Sequence, residues 1–205
     1  MQYGMVVDLK GCVGCHACSM ACKMANNLPK DMWYNDVKTE GGASRDTPAG
    51  EYPNNSMRFI PVSCQHCAEP ACVAACPTGA THKDEETGIV HQDTDVCIGC
   101  QACINACPYE GVRTFVENPV FSVDVALGVE TAPTHNPTTV EKCNFCAPLI
   151  AKGETPACME FCVGRARFWG DLDDPESEVS KLLAEREYMQ LLTEEGTGPN
   201  AYYLI

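Results

Sequence analysis

Three observations predict an α+β fold of two related modules in one compact chain, with surface loop insertions and a C-terminal helix and tail. The sixteen cysteines of this 205-residue chain fall into four groups of four, with none left over. Two groups lie in a repeated segment: CVGCHACSMAC at 12–22 and CIGCQACINAC at 97–107 agree at seven of eleven positions. Short β-type runs precede every group (MVVDL, RFIPV, GIVHQ, TTVEK) and others follow (GATHK, GVRTF, RARFWG), so strands bracket the cysteine loops.

Spacing identifies the chemistry of the cysteines. Cys12, Cys15, Cys18 and Cys22 form C-x2-C-x2-C-x3-C, and Cys97, Cys100, Cys103 and Cys107 repeat it. Cys64, Cys67, Cys72 and Cys76 follow C-x2-C-x4-C-x3-C, while Cys143, Cys146, Cys158 and Cys162 follow C-x2-C-x11-C-x3-C. Each quartet offers the four thiolates that one 4Fe–4S cubane needs, so four such clusters are expected. Disulfide frameworks rarely use consecutive tight C-x2-C groups. Zinc sites usually separate their ligand pairs by a loop or helix. His16 and His66 lie inside quartets that are already complete, which makes them packing neighbours rather than ligands. Gly14, Gly99, Ala17, Ala21, Ala102 and Ala106 leave room for backbone amides to approach the sulfurs. Lys142 and Arg165 flank the fourth quartet and are candidates to offset cluster charge.

Composition narrows the function classes. The formal charge is −14 before any cofactor, and four oxidised cubanes at about −2 each would take it to roughly −22. Such a surface repels nucleic acid and anionic lipid. The N-terminus MQYGMVVDLK has no basic region, apolar run or twin arginine, and no segment is long enough to span a membrane. No nucleophile–base pair, phosphate cradle or open metal position is visible, so no catalytic residue is assigned. Apolar residues are 45% of the chain including cysteine; without it they are thin cover for long loops. The clusters are expected to serve as core, and the iron-free chain to be largely unfolded.

The organisation has a ferredoxin-like rhythm of strand, cluster loop, short helix and strand. One module is expected over 58–115, a second over 1–57 with 116–170, and a helix and docking tail over 171–205. Stretches 23–57 and 116–139 read as surface excursions. Asp174-Pro175 predicts the start of a helix over about 175–190, with Val179, Leu182, Leu183 and Met189 on one side. GTGPNAYYLI reads as an extended tail docked by its aromatics, or as a frayed end.

In two-cluster ferredoxins the fourth cysteine precedes proline and ligates the other cluster. Pro77 follows Cys76 and Pro108 follows Cys107, whereas Lys23 and Val163 follow Cys22 and Cys162. The prolines couple the second and third quartets, leaving the first with the fourth. The expected sets are Cys12, Cys15, Cys18 and Cys162; Cys22, Cys143, Cys146 and Cys158; Cys64, Cys67, Cys72 and Cys107; and Cys76, Cys97, Cys100 and Cys103. A rival pairing of first with second and third with fourth follows the duplication but ignores the prolines.

The order of quartets, KCNFC at 142–146, PAC before the last cysteine, GDLDDP at 170–175 and the ending GTGPNAYYL resemble the iron–sulfur subunits of the dimethyl sulfoxide reductase family. The likeness covers essentially the whole chain. It implies an electron-transfer subunit that relays electrons between a molybdenum or tungsten bis-pterin catalytic subunit and a membrane anchor, cytochrome or quinone pool. It implies further that the cube at Cys12 faces the catalytic subunit. Relatives with Trp in the third quartet hold a 3Fe–4S cluster there; this chain has Cys100, which keeps four cubanes. Co-export with a signal-bearing catalytic partner is the expected route to the extracytoplasmic side, with a cytoplasmic complex as the alternative. A free polyferredoxin serving several enzymes is the competing function.

Overall fold

The computed structural model describes residues 1–130 and 132–205. Its elements run β1 (Tyr3–Asp8), α1 (Ala17–Ala25), β2 (Asn35–Thr39), β3 (Phe59–Ser63), α2 (Ala71–Ala74), β4 (Thr81–Lys83), β5 (Val90–Gln92), α3 (Ala102–Asn105), β6 (Arg113–Val116) and β7 (Thr139–Lys142). Then follow α4 (Ala147–Ile150), α5 (Ala157–Glu160), β8 (Arg167–Asp171), α6 (Glu178–Glu185), β9 (Tyr188–Met189) and β10 (Ala201–Leu204). Every β-type run named above contains a strand. Mixed short helices and small sheets make an α+β architecture.

A four-stranded sheet in the order β8-β1-β10-β9 joins the two chain ends. β10 runs parallel to β1, pairing Met5 with Ala201 and Asp8 with Leu204, and β8 runs antiparallel on its other side. Alternation along β1 and β10 sends side chains to two faces. Val6 and Leu204 meet Val179 under α6, with Phe168, Leu182 and Leu183 around them. Met5, Val7, Ala201 and Tyr203 face the opposite way, into a core shared with Cys18, Cys22, Cys64, Cys67, Cys143 and Cys158. The sheet is thus the wall between a conventional apolar layer and the cysteine-lined interior. Three antiparallel pairs, β2 with β3, β4 with β5 and β6 with β7, frame that interior.

Three expectations change. The tail is an interior strand of the sheet: Tyr203 and Leu204 are buried and Leu9 N–H donates to the Leu204 carbonyl at 3.1 Å. Stretch 23–57 is only partly an excursion, because Asn35–Thr39 forms a strand and Leu28, Met32, Tyr34 and Val37 are buried. The C-terminal helix starts later and ends earlier. Ser177 caps it by accepting from Ser180 N–H, while the Asp174 carboxylate accepts from Glu176 N–H in the preceding turn. Met189 lies beyond the helix in β9, after Arg186 turns extended and forks onto Asp8 at 2.7 and 3.0 Å. That carboxylate lies below its ordinary range, chiefly through the Arg186 hydrogen bonds.

Leu204→Ala removes a fully buried side chain from both the sheet and the α6 layer. A loss of about 2–5 kcal/mol is expected, read as a lower midpoint for thermal loss of the visible iron–sulfur absorption.

Candidate metal centres

The four C-x-x-C loops share a backbone device. The residue before the second cysteine is left-handed in each: Gly14 (φ 67°), His66 (φ 43°), Gly99 (φ 65°) and Phe145 (φ 57°). His16 and Gln101, both at φ 58°, repeat the turn at the starts of α1 and α3. Successive amides bent this way point toward one side and form a concavity that favours anionic sulfur. Glycine is required in two loops. A Cβ on Gly14 would meet the Phe59 ring at 2.5 Å, and one on Gly99 would meet the Thr138 carbonyl oxygen at 2.3 Å. Where the residue is not glycine, left-handed backbone costs roughly 1–2 kcal/mol, and packing holds it. The His66 and Phe145 rings meet edge to face at 5.1 Å, in the buried interior.

All sixteen cysteines are free thiols. Among the described residues, no three Cys, His, Asp or Glu side chains converge on a point that would hold one metal ion. Cys12, Cys15, Cys18 and Cys162 line one cavity, together with Val37, Pro61 and Arg167. α1 packs on α5. At Cys22 burial, and then the neighbouring Cys143, Cys158 and Cys146, push the thiol well up. α2 packs on α3. At Cys107 burial raises the thiol, with Cys64 and Cys72 adding to it. Cys97 and Cys103 share a small apolar cluster with Cys72, Val90 and Val140.

Hydrogen bonds reach several sulfurs. Thr81 N–H donates to Cys76 at 3.3 Å, Ala166 N–H to Cys162 at 3.3 Å and Phe145 N–H to Cys143 at 3.4 Å. The Asn35 amide donates to Cys18 at 3.2 Å. Slight burial opposes ionisation of Cys76, but the bonds from Thr81 and Thr78 bring its thiol down to about 7. Deeper in, burial pushes Cys146 up to about 11 and raises Cys158 and Cys143. Thiols so placed ionise only against strong positive charge, which iron supplies on binding. The two histidines inside quartets behave as neighbours. His66 Nδ1 accepts from Val90 N–H at 3.1 Å, and His16 lies 3.7 Å from Asp46.

Three cations are buried among the thiols: Arg113, Lys142 and Arg167. Among the described residues none of them pairs with a carboxylate. Arg113 Nη2 and Arg167 Nε have no hydrogen-bond partner at all. Buried cations without carboxylates are costly unless an anion stands nearby, so the site fits a group that is negatively charged and sulfur-ligated. Lys142 was legible from the sequence, whereas Arg165 is exposed and Arg167, two residues on, holds the buried place. Arg165 and Arg167 are two residues apart and would share one face of a strand, so alternation could not choose between them; β8 begins only at Arg167.

The 4Fe-4S dicluster domain family matches residues 55–122 with 130–172, and a second 4Fe-4S dicluster domain family matches 11–80. The chain is 42% identical over 210 residues to a putative dimethyl sulfoxide reductase iron-sulfur subunit of Halobacterium salinarum, covering 99% of this chain and 79% of that protein. It is 40% identical to the arsenate respiratory reductase iron-sulfur subunit ArrB of a Shewanella species, covering 100% and 96%. It is also 40% identical to a selenate reductase subunit of Mesobacillus selenatarsenatis, covering 100% and 72%.

Gly99→Ala is expected to lose up to about four of roughly sixteen irons per chain, because its Cβ would strike backbone that cannot yield. Gly79→Ala, also left-handed at φ 72° but with open space around it, is expected to keep the full complement. Iron and acid-labile sulfide assays on both variants check this.

Proposed function

The chain belongs to the iron–sulfur subunits of the dimethyl sulfoxide reductase family, and on that premise we propose that it is the non-catalytic electron-transfer subunit of a molybdenum or tungsten bis-pterin oxidoreductase. Bound 4Fe–4S clusters take up and release single electrons. This chain's residues hold them, space them and shield the inner ones from water.

The ligand sets we propose are Cys12, Cys15, Cys18 and Cys162; Cys22, Cys143, Cys146 and Cys158; Cys64, Cys67, Cys72 and Cys107; and Cys76, Cys97, Cys100 and Cys103. The observation that carries this is that the fourth cysteine of a quartet stands with the first three of another. Cys162 lines the cavity of Cys12, Cys15 and Cys18, and Cys22 lies against Cys143, Cys146 and Cys158. The packing of α2 on α3 supports the other exchange. The modules that follow are 58–115 for the second and third quartets and 1–57 with 116–170 for the first and fourth, with 171–205 as a closing segment.

Both outer sites present apolar tips. Val13, between Cys12 and Cys15, and Ile98, its repeat between Cys97 and Cys100, are each 62% exposed. Phe161 and Val163, on either side of Cys162, are also exposed. Exposed aliphatic groups directly beside a redox site suit docking to partners. We assign the Cys12 end to the catalytic subunit and the Cys97 end to an anchor, cytochrome or quinone-linked partner, with co-export as the route to the extracytoplasmic side.

Purification from the native host is expected to give a stoichiometric complex in which a separate chain carries molybdenum or tungsten. A stable, brown, solitary monomer would favour a free polyferredoxin instead. In the same preparation, Cys162→Ser is expected to alter the electron paramagnetic resonance signal that Cys12→Ser alters. If the Cys162→Ser change coincides with that of Cys143→Ser, the crossed ligand sets fall. Removing iron with a chelator under reducing conditions is expected to abolish most native circular dichroism.

A further inference from the structure

The three buried cations have a common position that the ligand chemistry alone does not require. Arg167 lines the cavity of Cys12, Cys15, Cys18 and Cys162. Its Nη1 donates at 2.9 Å to Asn35 Oδ1, and the Asn35 amide nitrogen donates to Cys18. Burial works against the charge of Arg167, and the nearby thiols of Cys158 and Cys18, one from each of the first two proposed sets, favour it. Lys142 hydrogen-bonds the carbonyls of Val90 and Cys143, and its charge acts on Cys64, Cys72 and Cys143, which spans the second and third sets. Burial works against the charge of Arg113, while the thiols of Cys72, Cys64 and Cys107 of the third set and Cys103 of the fourth favour it. Its Nη1 rests on Gln92 Oε1 at 3.1 Å.

The register adds an independent fact. Arg113 and Lys142 are directly opposite one another across β6 and β7. Like charges so placed destabilise a strand pair, and these two are buried without a carboxylate between them. Anionic groups close to both would offset that cost. A bare fold would gain by replacing either residue with an apolar one.

We propose that Arg167, Lys142 and Arg113 are positioning residues placed one at each junction of the four-cluster series, where each holds up the reduction potentials of the two clusters it separates. The proposal rests on the ligand sets above. Taking an electron adds one negative charge to a cluster. A fixed cation nearby favours that state, and in a partly desolvated interior the effect reaches both neighbours. It also screens adjacent anionic clusters from each other, so that reducing one opposes reduction of the next less strongly.

The test is a redox titration of the holoprotein, in its complex, followed by electron paramagnetic resonance. Lys142→Gln keeps a donor for the two carbonyls but removes the charge. It is expected to lower the potentials of the clusters held by Cys22, Cys143, Cys146 and Cys158 and by Cys64, Cys67, Cys72 and Cys107. The expected size is about tenfold in the reduction equilibrium, near 59 mV for one electron. The cluster at Cys12 should hold its potential, and Lys142→Arg should restore the wild-type values. Arg113→Gln is expected to move the third and fourth clusters in the same direction and spare the first. Unchanged potentials in a fully loaded Lys142→Gln chain overturn the proposal, as do equal shifts in all four clusters. Iron loss in both charge-removing variants that Lys142→Arg shares also overturns it, since the residues would then only hold the fold. Failure of the ligand sets shows separately, in the cysteine-to-serine spectra.

Discussion

Sixteen thiolates and their clusters bring a large negative charge into the interior of a chain that already carries −14, and the rest of the structure answers to that charge. Burial raises the thiols of Cys22, Cys143, Cys146 and Cys158, so depth alone works against the ionised form that ligation needs. Three means of offsetting it are expected. Iron supplies most of the compensation. Amides turned inward at Gly14, His66, Gly99 and Phe145 supply oriented dipoles. Arg113, Lys142 and Arg167 supply full charges that no carboxylate quenches. Folding and cluster binding are for this reason expected to be coupled.

The same constraint explains the layout of the sheet. A cysteine-lined interior offers few apolar side chains for cooperative packing, and the loops between quartets are long. The β8-β1-β10-β9 sheet provides what the clusters lack. Val6, Val179 and Leu204 make a small dry layer on its far face. Met5, Val7 and Tyr203 close the near face over the cysteines. β1 pairs in parallel with β10, which ties residues 3–8 to 201–204 across the cysteine-lined interior.

Much of this was legible in the sequence, for reasons that differ by element. Cluster loops are dictated by local spacing, and strands such as MVVDL and TTVEK carry strong β-type composition, so both were readable. The crossed ligand sets we propose rest in part on a local mark, Pro77 and Pro108. The strand at Ala201–Leu204 was harder to place, because AYYLI shows its partner only once Tyr3–Asp8 is brought alongside. The helix was misplaced because Asp174 and Ser177 are both good caps; Ser177 caps it, and Ser180 Oγ at its start reaches the Asp171 and Leu172 carbonyls. Arg113 and Arg167 were missed since a lone arginine in a short strand gives no local sign of which way it faces. Asn35–Thr39 lay hidden in a polar stretch whose burial depends on Phe59–Ser63.

Exposure then orders the sites. Only Cys15 and Cys100 are exposed among the sixteen, and on the proposed sets they belong to the first and last clusters. Cys22, Cys143, Cys146 and Cys158 are all buried, as are Cys64, Cys67 and Cys72. Electrons can therefore enter or leave at two places, next to Val13 and next to Ile98, while the two inner clusters exchange only with their neighbours. The duplication accounts for the likeness of the ends, since both tips come from the x2-x2-x3 quartets. The eleven-residue inner loop of the fourth quartet accounts for the depth of the second cluster: it folds α4 over Cys146, with Leu149 and Ala157 packed against that thiol. On the proposed sets, the repeated units form a series with two accessible ends and a shielded middle.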